Sequence, residues 1–173
     1  MASDGCTARV LTDVGIPLEV RPIAPSDRAR LAEAFEKLSE RARRQRFLGA
    51  KPRLSAVELT YLTDVDHREH EALAAIDPSD GSLVAIARYA TPPGESGTAD
   101  MAITVLDAWH GQGIGRILGS MLVDCAAANG IARLTATTFE DNRPARSLLR
   151  RLGFRTVGLG TGVIELESTL PAS

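Results

Sequence analysis

The stretch from Asp100 to Arg116 constrains this chain more than any other, because a strand, a glycine-rich turn and a helix follow one another without a gap. Met101, Ile103 and Val105 fall on one side of the first segment and Asp100, Ala102 and Thr104 on the other, the alternation of a half-buried strand. After the turn, Ile114, Leu118, Leu122 and Ala126 recur every fourth residue, with Ile117, Met121 and Cys125 beside them, so the helix carries a broad apolar face. The first turn of such a helix leaves its N–H groups without intrahelical acceptors, and the helix dipole places partial positive charge there. Gly111, Gly113 and Gly115 remove side chains that would hold a ligand away from the main chain. The segment His110, Gly111, Gln112, Gly113, Ile114, Gly115 and Arg116 is therefore a candidate cradle for a phosphate or pyrophosphate, with Arg116 able to add a cation. An ordinary tight turn between strand and helix has the same pattern. No Lys-Ser/Thr pair follows, which excludes a Walker loop, and the glycines are too closely spaced for a dinucleotide fingerprint.

Downstream come Gly130, a strand-like run from Ile131 to Thr138, and the segment Asn142-Arg-Pro-Ala-Arg-Ser-Leu-Leu-Arg-Arg-Leu-Gly-Phe154. With the glycine turn, this stretch resembles the GCN5-related N-acetyltransferase (GNAT) family. The turn is similar to that family's acyl-CoA pyrophosphate loop, Gln/Arg-x-x-Gly-x-Gly/Ala, with Gly113 and Gly115 as the glycines. Asn142, Ala145 and the closing Gly153-Phe154 carry the rest of the likeness. The resemblance implies one α/β (α+β) domain over residues 1–173 with the GNAT fold: a mixed, mostly antiparallel sheet of about seven strands, about four helices, and central strands that splay apart. It implies acetyl-CoA (coenzyme A) as cosubstrate and transfer of an acyl group from its thioester to a primary amine. Two positions depart from the pattern. His110 stands where Arg or Gln is usual. Leu149 stands where many members have a tyrosine that protonates the departing thiolate; a thiol with a pKa near 8.5 leaves tolerably without one.

In chain order, residues 1 to 9 read as a poorly ordered start. Val10-Leu11 and Leu18 to Arg21 form a hairpin around Asp13-Val-Gly15. Ser26 is placed to cap a helix that presents Leu31, Ala34, Phe35 and Leu38. Six basic residues and no acidic ones lie between Arg41 and Arg53: a solvated helix face and loop, or a docking patch for an acidic acceptor or CoA phosphates. Ser39 to Leu48 also resembles a segment of bacterial protein-lysine acetyltransferases of this family. Ser55-Ala-Val-Glu58 is a capping box that opens a short helix. Asp66 and His70 follow it and are candidates to position the acceptor amine, or are loop residues. Apolar runs from Ala72 to Asp77 and from Ser82 to Tyr89 form a second hairpin, and two short strands close the chain, giving ββ-α-α-βββ-α-β-α-ββ.

A net charge of −2 offers no field for nucleic acid or an anionic membrane. No apolar run reaches the length of a membrane span and no signal-peptide core opens the chain, so a cytoplasmic location is expected. No metal-ligand spacing occurs. Cys125, on the apolar helix face, is expected as a buried thiol. A homodimer through the C-terminal strands is compatible with the pattern.

For the chemistry, a lysine amine, pKa near 10.4, must lose a proton to attack a thioester. Asp100, where protein-modifying members often carry a glutamate, is the candidate base. The main-chain N–H of Val105 would face the thioester oxygen. Asn142 caps the last helix and its amide can reach the pantetheine arm, while Arg143 and Arg146 are placed for the 3′-phosphate. The acceptor is a protein lysine or a small-molecule amine. A catalytically weak acyl-CoA-binding sensor or regulatory module is the alternative.

Overall fold

The computed structural model describes residues 6–171. One eight-stranded sheet has the order β1-β2-β3-β4-β5-β6-β8-β7. Its strands are β1 (Ala8–Leu11), β2 (Pro17–Pro22), β3 (His70–Ile76), β4 (Leu83–Ala90), β5 (Thr98–Val105), β6 (Arg133–Phe139), β7 (Arg155–Leu159) and β8 (Val163–Thr169). Five α-helices accompany them: α1 (Arg28–Lys37), α2 (Glu40–Phe47), α3 (Ala56–Thr63), α4 (Ile114–Ala128) and α5 (Arg143–Arg151). The GNAT architecture expected from the sequence is present, with the eight strands of the expected element order and one more helix. The additional helix, α2, is the basic segment, started by the Ser39 hydroxyl accepting from the Ala42 N–H.

Both faces of the sheet are covered, which is why β3 and β4 read as continuous apolar runs rather than alternating ones. On one face Leu73, Ala75, Val84 and Ala87 pack with Leu118 and Leu122 of α4; on the other Ala72, Ala74, Ile76 and Ile86 pack with Leu31, Ala34 and Phe35 of α1. Each fully buried leucine in these layers stabilises the fold by about 1.5–3 kcal/mol.

Several local expectations are corrected. Ala8 and Arg9 are not a loose start: they pair with Val20 and Glu19 in the β1–β2 hairpin, while residues 1 to 5 lie outside the described residues. Ser26 does not cap α1. A 3-10 turn, Pro25–Asp27, leads into the helix, and the buried Asp27 carboxylate accepts from the Ala24 N–H and pairs with Arg21 (2.7 Å) and Arg30 (3.0 Å). Cys125 is buried but is not a thiol; it is bonded to Cys6, 119 residues away in sequence. The sheet brings the start of β1 into the same apolar layer as α4, a proximity that sequence distance conceals. The Ser55–Glu58 capping box is present as expected. No described helix is long and apolar enough to cross a membrane.

Candidate active site

Every neighbouring strand pair is antiparallel except β5 and β6, which run parallel and pair only at Thr98–Arg133, Ala99–Leu134 and Asp100–Thr135. Beyond Asp100 the two strands part. β4 follows β5 to Val105, and β8 follows β6 to Phe139, so each remains half of a ladder. The ladder parity fixes which groups face the gap. Leu106 donates to the Val84 carbonyl, so the Ala85–Val105 pair is a non-hydrogen-bonded one. The main-chain groups of Val105, and by alternation of Ile103, therefore point away from β4 into the opening. A cleft results, lined by Met101 to Val105 on one wall, Ala136 to Thr138 on the other, Asn142, Ala145, Leu148 and Leu149 from α5, and Ala42, Gln45 and Arg46 from α2. The Thr104 hydroxyl on this lining is buried without a partner.

The cleft runs on to the glycine turn, where Gly111, Gly113, Ile114 and Gly115 line its mouth with Trp109 and Pro144. Trp109 packs against both apolar layers, as an anchor for the turn. Among the described residues the amides of Gly111 to Arg116 donate no hydrogen bond, which leaves a row of unpaired donors at the start of α4. Gly111 and Gly113 hold positive φ of 74° and 77°. A Cβ on Gly113 would lie 2.4 Å from the Asp13 carboxylate, whereas one on Gly111 would meet nothing within 4 Å. The β1–β2 turn thus docks on Gly113: the Asp13 N–H donates to the Gln112 carbonyl (2.9 Å) and the Asp13 carboxylate pairs with Arg116 (3.1 Å). Arg116, expected as a free cation for phosphate, is already partnered by a carboxylate.

His110 has a role its position did not suggest. Its Nε2 donates to the Val105 carbonyl (2.8 Å), so the ring ties the end of β5 to the glycine turn and leaves the Val105 N–H as that residue's group facing the opening. Asn142 caps α5, its Oδ1 accepting from the Ala145 N–H (3.3 Å), and it also lines the cleft. Arg146 donates to the Glu140 carbonyl (2.8 Å), and its buried Nε has no partner. With Arg41, Arg44 and Arg143 it borders a polar recess beside the cleft. Leu149 is buried, with no hydroxyl in its place. Tyr89 donates its hydroxyl to the Arg68 carbonyl, well inside the core.

Asp100 lies where the strands begin to part, on the face opposite α4. Its Oδ1 accepts from the Thr135 hydroxyl (3.2 Å). The side chain remains open to solvent at the rim of a recess, yet the surrounding protein removes enough water to raise its pKa above the ordinary value, against lowering by the Thr135 bond and the Arg46 charge. That recess adjoins the cleft and is lined by Arg46, Leu54, Glu58, Tyr61, Arg88 and Ala102. Sequence reading missed Arg88 and Tyr61, and held Arg46 only as one of the six basic residues of the possible docking patch. Arg88 was the legible signal: a lone charge within the apolar run Leu83 to Ala90.

The two expected acceptor residues sit one layer back. The Asp66 Oδ1 accepts from the N–H groups of Arg68 and His70 (both 2.9 Å), which organises the loop before β3. His70 stacks on Tyr61 with ring centroids 4.9 Å apart, and its Nε2 accepts from Arg88. Burial first, then the Arg88 charge, takes its pKa down to about 4, so the ring is neutral at physiological pH and able to accept. Neither lines the recess.

Parted strands, free amides at a helix start and a polar recess beside the gap define a protein that holds an extended acyl carrier and presents its acyl end to a second substrate. Residues 32–154 match the acetyltransferase (GNAT) family, and the chain belongs to it; the cosubstrate of that family is acetyl-CoA. The chain is 34% identical to acetyltransferase PA5475 of Pseudomonas aeruginosa over 82% of its own length and 77% of that protein's. It is 30% identical to acetyltransferase Pat of Mycolicibacterium smegmatis over 88% of its length but only 45% of that longer protein. Among solved structures, the GNAT domain of S. lividans PAT is similar with a TM-score of 0.91 and 27% identity, covering 98% of this chain and all (100%) of that one.

Proposed function

We propose that this protein transfers the acetyl group of acetyl-CoA to a primary amine by direct attack, with the donor in the β5–β6 cleft and the acceptor in the adjoining recess. The free amides from Gly111 to Arg116 hold the pyrophosphate. The cleft-facing groups of Ile103 and Val105 pair with the pantetheine amides as a neighbouring strand would, and Asn142 adds a side-chain contact. Arg143 and Arg146 meet the 3′-phosphate. The acceptor arrives as an ammonium and gives a proton to Asp100, whose raised pKa suits it better to the task than an ordinary aspartate. The amine nitrogen bonds to the thioester carbon, the oxygen takes up charge facing the Val105 N–H, and the C–S bond breaks to release CoA. Of all these features, the parting of β5 from β6 just past Asp100 carries the reading. Asp100 lies at the apex of a gap with unpaired main-chain groups, which supports its reading as the base.

The acceptor amine is that of a protein lysine or of a small molecule. A buried leucine at position 149 favours a second reading, a catalytically weak acyl-CoA-binding regulatory module. Incubation with acetyl-CoA and a panel of amines, following free thiol, separates the two. Amine-dependent thiol release is expected; thermal stabilisation by acetyl-CoA without thiol release would refute turnover.

A further inference from the structure

The recess beside Asp100 holds two guanidinium groups and no carboxylate paired with either. Arg88 is 6% exposed, in the middle of β4. Its described partners are the neutral His70 ring and the face of Tyr61, with its Cζ 5.5 Å from the ring centroid. Arg46 reaches in from α2, its Cζ 5.0 Å from the Phe47 centroid, and lines both the recess and the thioester cleft. Among the described residues neither forms an ion pair. Of the two acids on the lining, Glu58 is taken by Lys51 and by the Ser55 N–H and hydroxyl, and Asp100 bonds Thr135.

A guanidinium offers five donors in a planar fork. One Nη of Arg88 meets the His70 ring nitrogen, and no nitrogen of Arg88 or Arg46 is buried without a partner, so their remaining donors are open to the recess they line. Buried charges are otherwise paired or coordinated. Burial first, then the Arg46 charge, draws Arg88 down to about 10, so it remains cationic at neutral pH, and burial lowers Arg46 as well. The α2 helix delivers Arg46, the doubly covered sheet delivers Arg88, and cross-strand pairing sets Arg88 opposite Ala102, one alternation along from Asp100. A carboxylate-sized anion is what this geometry lacks.

We infer that the acceptor is a small molecule carrying a carboxylate together with its primary amine, the carboxylate held by Arg88 and Arg46 while the amine faces Asp100. This rests on the acetyltransferase reading above and narrows it. A zwitterion matches the recess at both ends: its ammonium meets Asp100 and its carboxylate meets the two guanidiniums. A simple cationic amine, such as a lysine side chain, meets two positive charges with one negative, which selects against it. The transfer is unchanged: one ammonium proton passes to Asp100, the N–C bond forms, the C–S bond breaks, and the second proton lost by the nitrogen goes to the departing sulfur, so that CoA leaves as thiol.

The test measures thiol release at saturating acetyl-CoA with glycine, β-alanine, 4-aminobutyrate, L-alanine and L-glutamate, each beside its carboxamide, and with Nα-acetyl-lysine methylamide as a carboxylate-free lysine. The best acid is expected to exceed its carboxamide and the lysine probe by about 10- to 100-fold in kcat/KM, the range lost with charge-assisted hydrogen bonds. Arg88→Gln and, independently, Arg46→Gln should collapse that ratio toward one through KM for the acid; urea titration and acetyl-CoA affinity establish that each variant is folded. Arg46, on the edge of the recess, keeps the test informative if the buried Arg88 variant fails to fold. Equal use of acids and carboxamides, or preference for the lysine probe, overturns this inference alone. No thiol release with any amine overturns the acetyltransferase reading and this one with it.

Discussion

Gly111 and Gly113 share nearly the same left-handed backbone but differ in what surrounds them, and that difference makes them a calibrated pair. A non-glycine residue in this region costs about 1–2 kcal/mol. At Gly111 nothing lies near the missing Cβ, so Gly111→Ala should lose that amount and no more. At Gly113 the new methyl would strike the Asp13 carboxylate at 2.4 Å. Asp13 is the end of an exposed side chain and can rotate away, but it then gives up its pair with Arg116, a loss of about 0.2–1 kcal/mol for an exposed ion pair. Gly113→Ala should therefore destabilise the protein by about 1.2–3 kcal/mol, roughly 0.2–1 kcal/mol beyond Gly111→Ala. Asp13→Ala should lower stability slightly alone and remove the excess when combined with Gly113→Ala, a coupling visible in a double-mutant cycle. Urea unfolding of the five proteins, with midpoints read at constant slope, supplies the numbers. Equal costs at the two glycines, or strict additivity of Asp13→Ala and Gly113→Ala, would refute the docking of the hairpin turn on this loop. Acetyl-CoA affinity in the same variants gives the functional half: Gly113→Val should abolish it, and unchanged affinity would show that the loop does not hold the diphosphate.

Asp100→Asn should lower kcat by about 10²- to 10⁴-fold with acetyl-CoA affinity nearly intact, measured by thiol release and by titration; wild-type rates across pH would remove Asp100 from the mechanism. The carboxylate must be unprotonated to accept, so kcat/KM should fall as pH drops through a pKa above the ordinary 3.8, and Arg46→Gln should move that limb further upward by removing the cation that holds it down. Asp27→Ala should cost about 1–3 kcal/mol, because it removes the acceptor of the Ala24 N–H and of the partly exposed Arg21 and Arg30. Hydrogen bonds and charge from Arg21 hold the Asp27 pKa below the unfolded value, so its contribution is present above that value and fades as pH falls through the folded one, which acid titration of unfolding checks.

The strand, turn and helix around Gly113 were legible because each follows a local period that tertiary packing reinforced. Asp100 and Val105 could be placed by alternation, since β5 keeps strict pairing with β4. What escaped depended on contacts between distant segments. Arg116 and His110 are neighbours of the phosphate cradle in sequence, yet their partners, Asp13 and the Val105 carbonyl, are set by how the hairpin and the end of β5 arrive. The six basic residues after Arg41 looked uniform, but α2 lies across the parted strands and turns Arg46 inward. Asp66 and His70 carried the right chemistry in the right neighbourhood, and local hydrogen bonds drew them into support of the loop and of Arg88.

The sheet's two halves are sewn together by a seam only three residue pairs long, from Thr98–Arg133 to Asp100–Thr135. Whatever lies farther along has to be stitched by a visitor. On the proposed reading, an acyl carrier seated there would pair with the open margin of β5, so enzyme and donor would complete one β-structure between them, and each departure of spent carrier would unpick it again. Substrate binding and structural closure would then be the same set of hydrogen bonds.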